Sequence, residues 1–378
     1  MKIIHFSDTH LGYQAFDIVN GEGINAREQD VYDAFERTVD RILACRPDAV
    51  IHSGDFFHRP SPSNRALTFA LEQLRRLCDA GIPLYVIAGN HETPKTVYTS
   101  PILRAFRSMP CVHPFFGEAW ESAMLGDIAI HGLPHINDNR ILQQELERLQ
   151  PVAGKFNILM LHTSLGKRFL MEEYGEQIFP EAFLQKLSGF QYLALGHWHN
   201  HQQIDLHPNA WYSGSLERLS DTEIGAEKGF IHLDFQPGYD CSTTFEAIPT
   251  RPWLKLELRH CQEKTVADLR EELERFEAAN HTDGAILSLV FNDIKVEQSL
   301  ELSNIQLKAM FPACFQLLPK RRSFADRSFI RNIDADQFDR LDQIFAEYIR
   351  EKYAEHPGLA VQLAEKAAHY FQSAPSES

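Results

Sequence analysis

The sequence predicts a layered α/β fold, followed by a small α+β domain and a C-terminal segment of two helices. Over residues 1 to about 250, short apolar stretches alternate with amphipathic helices, a pattern typical of sheets packed between helices. The pattern changes near Pro249–Pro252, and a shorter alternation of strands and helices continues to about residue 320. We therefore divide the chain into residues 1–250, 251–320 and 321–378.

The first domain begins with the order strand, helix, strand, helix, strand. Helices are predicted over 28–45 and 64–79, because apolar residues recur on one face of each at helical spacing, and Gly81 follows the second as a stop signal. The remainder of the domain is predicted to be mostly strands, at 127–132, 157–163, 192–196, 211–214 and 230–235.

The second domain also shows alternating strand and helix patterns, and the tail shows helical ones. A strand at 253–259 leads to a helix with an apolar stripe at Val266, Leu269, Leu273 and Phe276. A strand at 285–291, a helix at 304–310 and a strand at 315–318 complete a unit of α+β type. The tail opens with the basic run Lys320–Arg322, and helices are predicted over 335–353 and 359–371. Two isolated helices of this length are marginal in water, so we expect them to dock on their own chain or on a partner.

Composition limits the classes of function. The 378 residues are 44% hydrophobic and carry a net charge of −15, which disfavours a protein that coats nucleic acid by charge alone. Bound divalent ions or a partner subunit would change that balance locally. Apolar runs fall short of the roughly 20 residues that span a bilayer, and the N-terminus reads as a strand rather than a signal peptide. We therefore expect a cytoplasmic protein without a membrane partner.

Six cysteines lie far apart in the chain and form no Cys-x-x-Cys pair. We expect reduced, mostly buried thiols without disulfide or metal roles. These cysteines are Cys45, Cys78, Cys111, Cys241, Cys261 and Cys314.

Metal-ligating residue types follow five apolar strands, at the point where each strand ends. In an open α/β sheet, the carboxyl ends of the strands meet at one crevice where sites are built. Carboxylate, amide and imidazole groups together suit two hard or borderline divalent ions, manganese above all, rather than a thiolate zinc site. The candidate ligands are Asp8, His10, Asp55, Asn90, His162, His197 and His199, with His91 beside them.

Each short signature, taken alone, is only weak evidence for a metal ligand and also has an ordinary structural explanation. A single histidine such as His162 at a strand end is normally a core residue with satisfied hydrogen bonds, and only the other four motifs favour a ligand. His58, three residues past Asp55, is equally compatible with a substrate contact and with a structural role. The remaining histidines are interpreted as structural, namely His5, His52, His113, His131, His135, His232 and His260.

The motifs together resemble those of the calcineurin-like metallophosphoesterases, and within them the SbcD-type double-strand-break repair nucleases. The resemblance is carried by Phe6–Gly12, Gly54–His58, Gly196–His199, Tyr212–Arg218 and Glu227–Gly229. It covers the first 250 residues well, residues 251–320 by layout and the tail only in general plan. It implies a β-sandwich flanked by helices, a capping domain that presents DNA, and C-terminal helices that bind an SMC-like SbcC ATPase.

The resemblance also implies roles for single residues. Asp8, His10, Asp55 and His199 would hold one Mn²⁺, and Asp55, Asn90, His162 and His197 the other, with Mg²⁺ as a substitute. His91 would be a catalytic histidine that is not a ligand and acts on the leaving group.

The same resemblance implies a homodimer that pairs through helices 64–79 and 97–107. Leu67, Leu71 and Leu74, with Val97, Ile102 and Phe106, would supply the apolar patch, although covering their own sheet explains the same residues.

One departure from the family bears on the alternatives. Glu92 stands where the family usually has Asp, and Gly-Asn-His-Glu is also the form of serine/threonine phosphatases. The phosphatase signature Gly-Asp-x-x-Asp-Arg-Gly is absent from Gly54–Pro60, which disfavours that interpretation. We therefore expect a DNA exonuclease and endonuclease. The alternatives are a phosphodiesterase for cyclic nucleotides or small diesters, and a catalytically silent scaffold for an ATPase.

Overall fold

The structure is a computed structural model, and it describes residues 1–96, 98–169, 176–235 and 241–323, together with residues 349, 350, 358, 361 and 363. Its strands in the first domain are β1 (Lys2–Phe6), β2 (Ala49–His52), β3 (Leu84–Ile87), β4 (Val112–Phe115), β5 (Glu121–Leu125), β6 (Ile128–Leu133), β7 (Phe156–His162), β8 (Tyr192–Gly196), β9 (Gln202–Gln203), β10 (Ala210–Tyr212), β11 (Gly229–Phe235) and β12 (Cys241–Ala247). Those of the second are β13 (Trp253–Leu258), β14 (Ile286–Ile294) and β15 (Gln316–Ser323).

The helices are α1 (Ala26–Cys45), α2 (Asn64–Asp79), α3 (Asn139–Arg148), α4 (Leu184–Leu187), α5 (Val266–Ala279), α6 (Val296–Glu301) and α7 (Asn304–Met310). Short 3₁₀ helices span Ile102–Ser108, Lys167–Phe169, Glu181–Phe183, Asp221–Glu223 and Cys261–Glu263.

Two six-stranded sheets form a sandwich. The first has the strand order β12-β11-β1-β2-β3-β4, and the second has the order β5-β6-β7-β8-β10-β9. β1 to β4 are parallel in the first sheet, and β6, β7, β8 and β10 are parallel in the second. The predicted layered α/β fold is thus confirmed, with four parallel strands in each sheet.

The side-chain alternation of the strands sets the layers. On β1, Ile3 lies in the core between the sheets, whereas Ile4 and Phe6 lie in the core beneath the outer helices, as expected for a strand buried on both faces. Helix α1 covers that outer face with Val31, Phe35 and Val39, all buried. Full burial of such side chains contributes about 1.5–3 kcal/mol each.

The second unit is a three-stranded parallel sheet, β13-β14-β15, with its own apolar core. It is joined to the first by Arg251, whose guanidinium donates to both carboxylate oxygens of Asp30 at 2.6 Å. The same guanidinium lies 3.9 Å from the ring centroid of Phe315. A bidentate ion pair combined with a cation–π contact holds the start of β13 against α1.

Three expectations need correction. The cysteine prediction is wrong for Cys78 and Cys111, which form a disulfide with Cα atoms 5.3 Å apart. The end of α2 and the residue before β4 meet beside the start of β3, where Leu84 donates to the Cys111 carbonyl at 2.9 Å. Of the four thiols, Cys261 is buried, Cys45 is exposed and the other two are intermediate.

The helix predicted over 97–107 is shorter than expected. Described residues 98–101 are not helical, and a 3₁₀ helix begins at Ile102 after Pro101. Proline removes a donor and disfavours helical backbone in the residue before it, so the helix starts beyond it. Val97 lies outside the described residues.

The basic run at the start of the tail belongs to the second unit. β15 extends to Ser323, and Lys320, Arg321 and Arg322 pair with β14 rather than forming a linker. Arg321 fits there because its guanidinium donates to the Leu302 carbonyl at 2.7 Å.

Both predicted tail helices fall almost entirely outside the described residues. Among the described helices, none is long and apolar enough to cross a membrane.

Candidate metal centre

The candidate ligands lie at one edge of the sandwich. Asp8 and His10 follow β1, Asp55 follows β2 and Asn90 follows β3, all in the first sheet. In the second sheet His162 is the last residue of β7, and His197 and His199 follow β8. The carboxyl ends of five parallel strands, drawn from both sheets, therefore converge at one place.

Two glycines allow the loops of the site to approach one another so closely. A Cβ atom on Gly54 would lie 2.4 Å from Nδ1 of His162, and one on Gly89 would lie 2.1 Å from Oδ1 of Asp55. These distances are far inside van der Waals contact. Any larger residue at either position would push apart the loops that carry Asp55, Asn90 and His162.

The backbone of the site is strained at four candidate ligands. Asp8, His10, Asp55 and His197 have φ angles of 52°, 49°, 55° and 95°, in the left-handed region that non-glycine residues rarely occupy. Each such residue costs on the order of 1–3 kcal/mol and persists only where its surroundings enforce it. Their concentration at one edge indicates that side-chain position here is under functional constraint.

The first ligand group consists of Asp8, His10 and His199. One ligand atom from each lies within 4.8 Å of the others, and Nε2 of His10 is 3.2 Å from Nε2 of His199. Asp8 is fixed by the backbone N–H of His197, which lies 3.0 Å from Oδ1, and by the hydroxyl of Ser7.

The second group lies around His162. Its Nε2 is 3.0 Å from Oδ1 of Asn90 and 3.2 Å from Oδ2 of Asp55. The ring of His197 is 5.5 Å away from that of His162, centroid to centroid. Asp55, Asp8 and His162 also offer ligand atoms within 4.8 Å of one another. Both groups therefore border on Asp55.

The environment of the Asp55 carboxylate is the strongest structural indication of a metal site. Its Oδ2 is buried and accepts no hydrogen bond from a described residue, although Nε2 atoms of His162, His10 and His91 face it at 3.2, 3.6 and 3.9 Å. A buried carboxylate oxygen without a hydrogen bond is costly. A cation shared between the two groups would satisfy it, and the donor set of carboxylates, imidazoles and one amide fits divalent ions.

Outer partners fix the orientation of the imidazoles. Nδ1 of His162 donates to the Ser53 carbonyl at 2.8 Å, which leaves Nε2 as the ligating atom. Nδ1 of His199 lies 3.1 Å from Glu223, which pairs with buried Lys228. Nε2 of His197 lies 3.4 Å from Glu176. Such carboxylate and carbonyl partners are the usual supports of metal-bound histidine.

The electrostatics differ among the candidate ligands. Burial and the nearby His91 charge hold the pKa of His10 well below its usual range, so that ring is neutral. Burial opposes ionisation of Asp55, but His162, His91 and His10 outweigh it and lower the pKa of that carboxyl. Neutral imidazole and ionised carboxylate are the forms that bind metal.

Two other candidate ligands have a raised pKa instead. Burial opposes protonation of His162, but the Asp55 carboxylate outweighs it and raises the pKa of that ring to about 9. Glu223 likewise raises the pKa of His199 against the effect of burial. A metal ion would therefore displace a proton from His162 on binding.

Glu92 is a site residue whose role the sequence did not indicate. Its carboxylate accepts the backbone N–H of Gly89 at 2.8 Å, of Asp55 at 3.1 Å and of Phe57 at 2.6 Å. Burial and the charge of Asp55 raise the pKa of this carboxyl. Glu92 thus ties the loop after β2 to the loop after β3 and keeps Asp55 in place.

We expect Glu92→Ala to destabilise the protein by at least about 3 kcal/mol, because three buried donors lose their acceptor at about 1–3 kcal/mol each. Glu92→Gln retains two of the three bonds if its amide oxygen replaces Oε2, so its loss should be smaller. Urea unfolding of both variants measures the two losses in the free energy of unfolding and shows which is larger. Equal losses would contradict the role given to the carboxylate.

His91 and His58 border the ligands. Nδ1 of His91 donates to the His58 carbonyl at 2.9 Å, and its side chain remains 22% exposed. Nδ1 of His58 lies 3.3 Å from Nδ1 of His10, and the His58 and His91 rings stack with centroids 5.1 Å apart. Both rings therefore lie on the open side of the cluster, where a substrate would approach.

The histidines interpreted as structural lie outside this cluster. Burial lowers the pKa of His5 and of His52 to about 3, and His5 bonds Tyr192 at 2.9 Å. His232 forms an ion pair with Glu246 at 2.8 Å. It shares a group of ligand-type atoms with exposed Cys45, and we interpret the group as a surface ion pair.

Comparison with known proteins gives concordant matches. The sequence profile of the calcineurin-like phosphoesterases matches residues 1–201. The chain is 31% identical over 325 residues to the DNA double-strand break repair protein Mre11 of Sulfurisphaera tokodaii, covering 81% of this chain and 77% of the relative. It is 26% identical over 373 residues to the protein of the same name from Methanococcus maripaludis, covering 93% of this chain and 91% of the relative.

Proposed function

The chain belongs to the calcineurin-like phosphoesterases, among the Mre11/SbcD-type DNA repair nucleases, and from this premise we propose that it is a manganese-dependent DNA nuclease. It is a hydrolase of phosphodiester bonds. We propose that it degrades duplex DNA from its ends, cuts single-stranded DNA and processes hairpins. The observation that supports this most is the buried, unbonded Oδ2 of Asp55 between two groups of ligand atoms.

The ligand assignment follows the two groups. Asp8, His10, Asp55 and His199 would hold one ion, and Asp55 with Asn90, His162 and His197 the other. When bound, two such ions would activate water and neutralise charge on the phosphodiester. Manganese is the ion we propose, with magnesium as a substitute, because the carboxylate and amide oxygens suit both ions and the proposed ligand set holds no thiolate.

His91 is placed to handle the proton of the leaving group. Its Nδ1–H is engaged by the His58 carbonyl, so the ring presents Nε2 toward the ligands and solvent. A protonated Nε2 would donate to the departing oxygen, which is general acid catalysis. The His58 side chain, stacked on His91, would contact the DNA backbone from the same side.

The assay that tests this function compares linear duplex DNA, single-stranded circles and bis(p-nitrophenyl) phosphate, each with Mn²⁺, Mg²⁺ or EDTA. We expect both DNA substrates to be cut with Mn²⁺ and none with EDTA. Hydrolysis of the small diester with both DNA substrates intact would favour the alternative, a phosphodiesterase for small diesters. Inactivity on all three substrates would favour a silent scaffold.

Partners follow from the same proposal. We propose that residues 251–320 act as a capping domain that presents DNA, and that the tail binds an SbcC-type ATPase. The dimer surface would be α2 with the 3₁₀ helix at Ile102–Ser108. Leu74 and Phe106 are fully buried in their own domain, which leaves Leu67, Leu71 and Ile102, all partly buried, for a second copy. We also propose a cytoplasmic location.

Truncation near residue 330 tests the role of the tail. The shortened chain should fold and cut single-stranded DNA with Mn²⁺ but should not co-purify with the ATPase. Leu341→Glu with Phe345→Glu should have the same effect, because each buried charge without a partner costs several kcal/mol. A collapsed melting temperature with ATPase binding retained would instead place these helices in the nuclease core.

A further inference from the structure

A cavity of about 410 Å³ adjoins the candidate metal centre. Its walls come from the segment after β3, from Phe116–Glu118 after β4 and from His135–Asn137 after β6. These segments leave the same sheet edge as the ligands. The amide of Asn137 donates to the Pro94 carbonyl at 3.1 Å, and the backbone N–H of His135 donates to the Ala88 carbonyl at 2.9 Å. The walls of the cavity are therefore held together by hydrogen bonds between segments of the two sheets.

Two lining residues of the cavity contact the candidate ligands. Glu92 lines it and at the same time accepts the backbone N–H of Asp55. Lys95 also lines it, and its ammonium donates to the carbonyl of Asn90 at 3.0 Å. A positive charge is thus held between the cavity and the ligands, on a chain whose net charge is −15.

The lining has the chemistry of a nucleoside site. Pro94, Pro101, Leu103, Phe116 and Ile136 give apolar walls. Threonines, Asn137 and the carboxylates of Glu92 and Glu118 give hydrogen-bonding groups. Small-molecule sites of about 300–1,000 Å³ have this mixture of apolar surface and few polar groups. A nucleobase has apolar faces and polar edges, and a basic residue next to an aromatic or apolar platform is the usual device for single strands.

We propose that this cavity receives one nucleotide of the DNA strand next to the bond that is cut. The base and sugar occupy the cavity, and Lys95 binds a phosphate between the cavity and the metal centre. This assignment rests on the proposed nuclease function and adds a positioning residue and a subsite to it. An unpaired nucleotide reaches the cavity more readily than a paired one, so the site favours frayed ends and single strands.

The test is the ratio of kcat/KM on a single-stranded oligonucleotide to that on bis(p-nitrophenyl) phosphate, which has neither base nor sugar. Lys95→Ala should lower this ratio at least tenfold, mainly by raising KM for the oligonucleotide, with two metal ions still bound. Lys155→Ala is the control, since Lys155 pairs with Asp127 at the amino end of β7. The control should keep the ratio within twofold.

A second variant fills the cavity. Thr99→Trp places an indole where the base would lie and should also lower the ratio at least tenfold. Thr244→Trp adds the same indole on the exposed edge strand β12 as its control. A ratio within twofold of the unmodified protein for either Lys95→Ala or Thr99→Trp overturns the subsite. Failure of the unmodified protein to cut the oligonucleotide, with the small diester hydrolysed, overturns the nuclease function itself.

Discussion

Replacing Asp55 by asparagine is expected to abolish nuclease activity and to weaken both metal ions together. The change keeps the size of the side chain but removes the charge that two groups of ligands share. Oδ2 of Asp55 lies 3.2 Å from His162 of one group and 3.6 Å from His10 of the other. A fall of at least about a thousandfold corresponds to about 4 kcal/mol of lost transition-state stabilisation.

The measurement is elemental analysis of the purified variant together with its rate on linear duplex DNA in Mn²⁺. Asp127→Asn is the matched control, because that carboxylate is exposed and pairs with Lys155. Exposed pairs of this kind contribute little, so the control should keep full activity. Two tightly held manganese ions in Asp55→Asn would remove Asp55 from the bridging position.

Replacing His91 by serine is expected to produce a different defect. The variant should keep both metals and lose a factor on the order of 10²–10⁴ in rate, as expected when a general acid is removed. The reason is that Nδ1 of His91 is engaged by the His58 carbonyl and its Nε2 stays 3.9 Å from Asp55. His91 also shares a group of potential ligand atoms with His10 and His58, so our proposal that it is not a ligand is what this variant tests.

Metal content and single-turnover rates of His91→Ser test this assignment. His113→Ser is the control, since His113 is an exposed residue of β4 that stacks on Tyr85. Loss of one metal ion from His91→Ser would make His91 a ligand. An unchanged rate with both metals bound would remove its role in catalysis.

The ends of the strands made the convergence of the candidate ligands predictable from sequence. Each candidate ligand lies at or within four residues of the end of an apolar strand, and parallel strands must end at one edge of their sheet. The sequence also predicts α2 with the observed bounds, because its apolar face repeats at helical spacing. Local sequence patterns of this kind are sufficient to predict where a residue lies when the strand or helix that precedes it fixes its position.

Residues that act from a distance were not predictable in the same way. Glu223 supports His199 from a 3₁₀ helix 24 residues later in the chain, and no spacing rule connects the two. In the sequence, Glu92 is notable only as a departure from the family motif. Its three backbone hydrogen bonds are visible only in the structure. The Cys78–Cys111 pair spans 33 residues and depends on where α2 packs, which the sequence does not state.

The most direct test is the anomalous scattering of crystals grown with MnCl₂, collected near the manganese absorption edge. We expect two peaks within about 4 Å of each other, with Asp55 in contact with both. One peak should contact Asp8, His10 and His199, and the other Asn90, His162 and His197. A single peak, or two peaks that do not share Asp55, would contradict a two-metal centre built from the ends of both sheets.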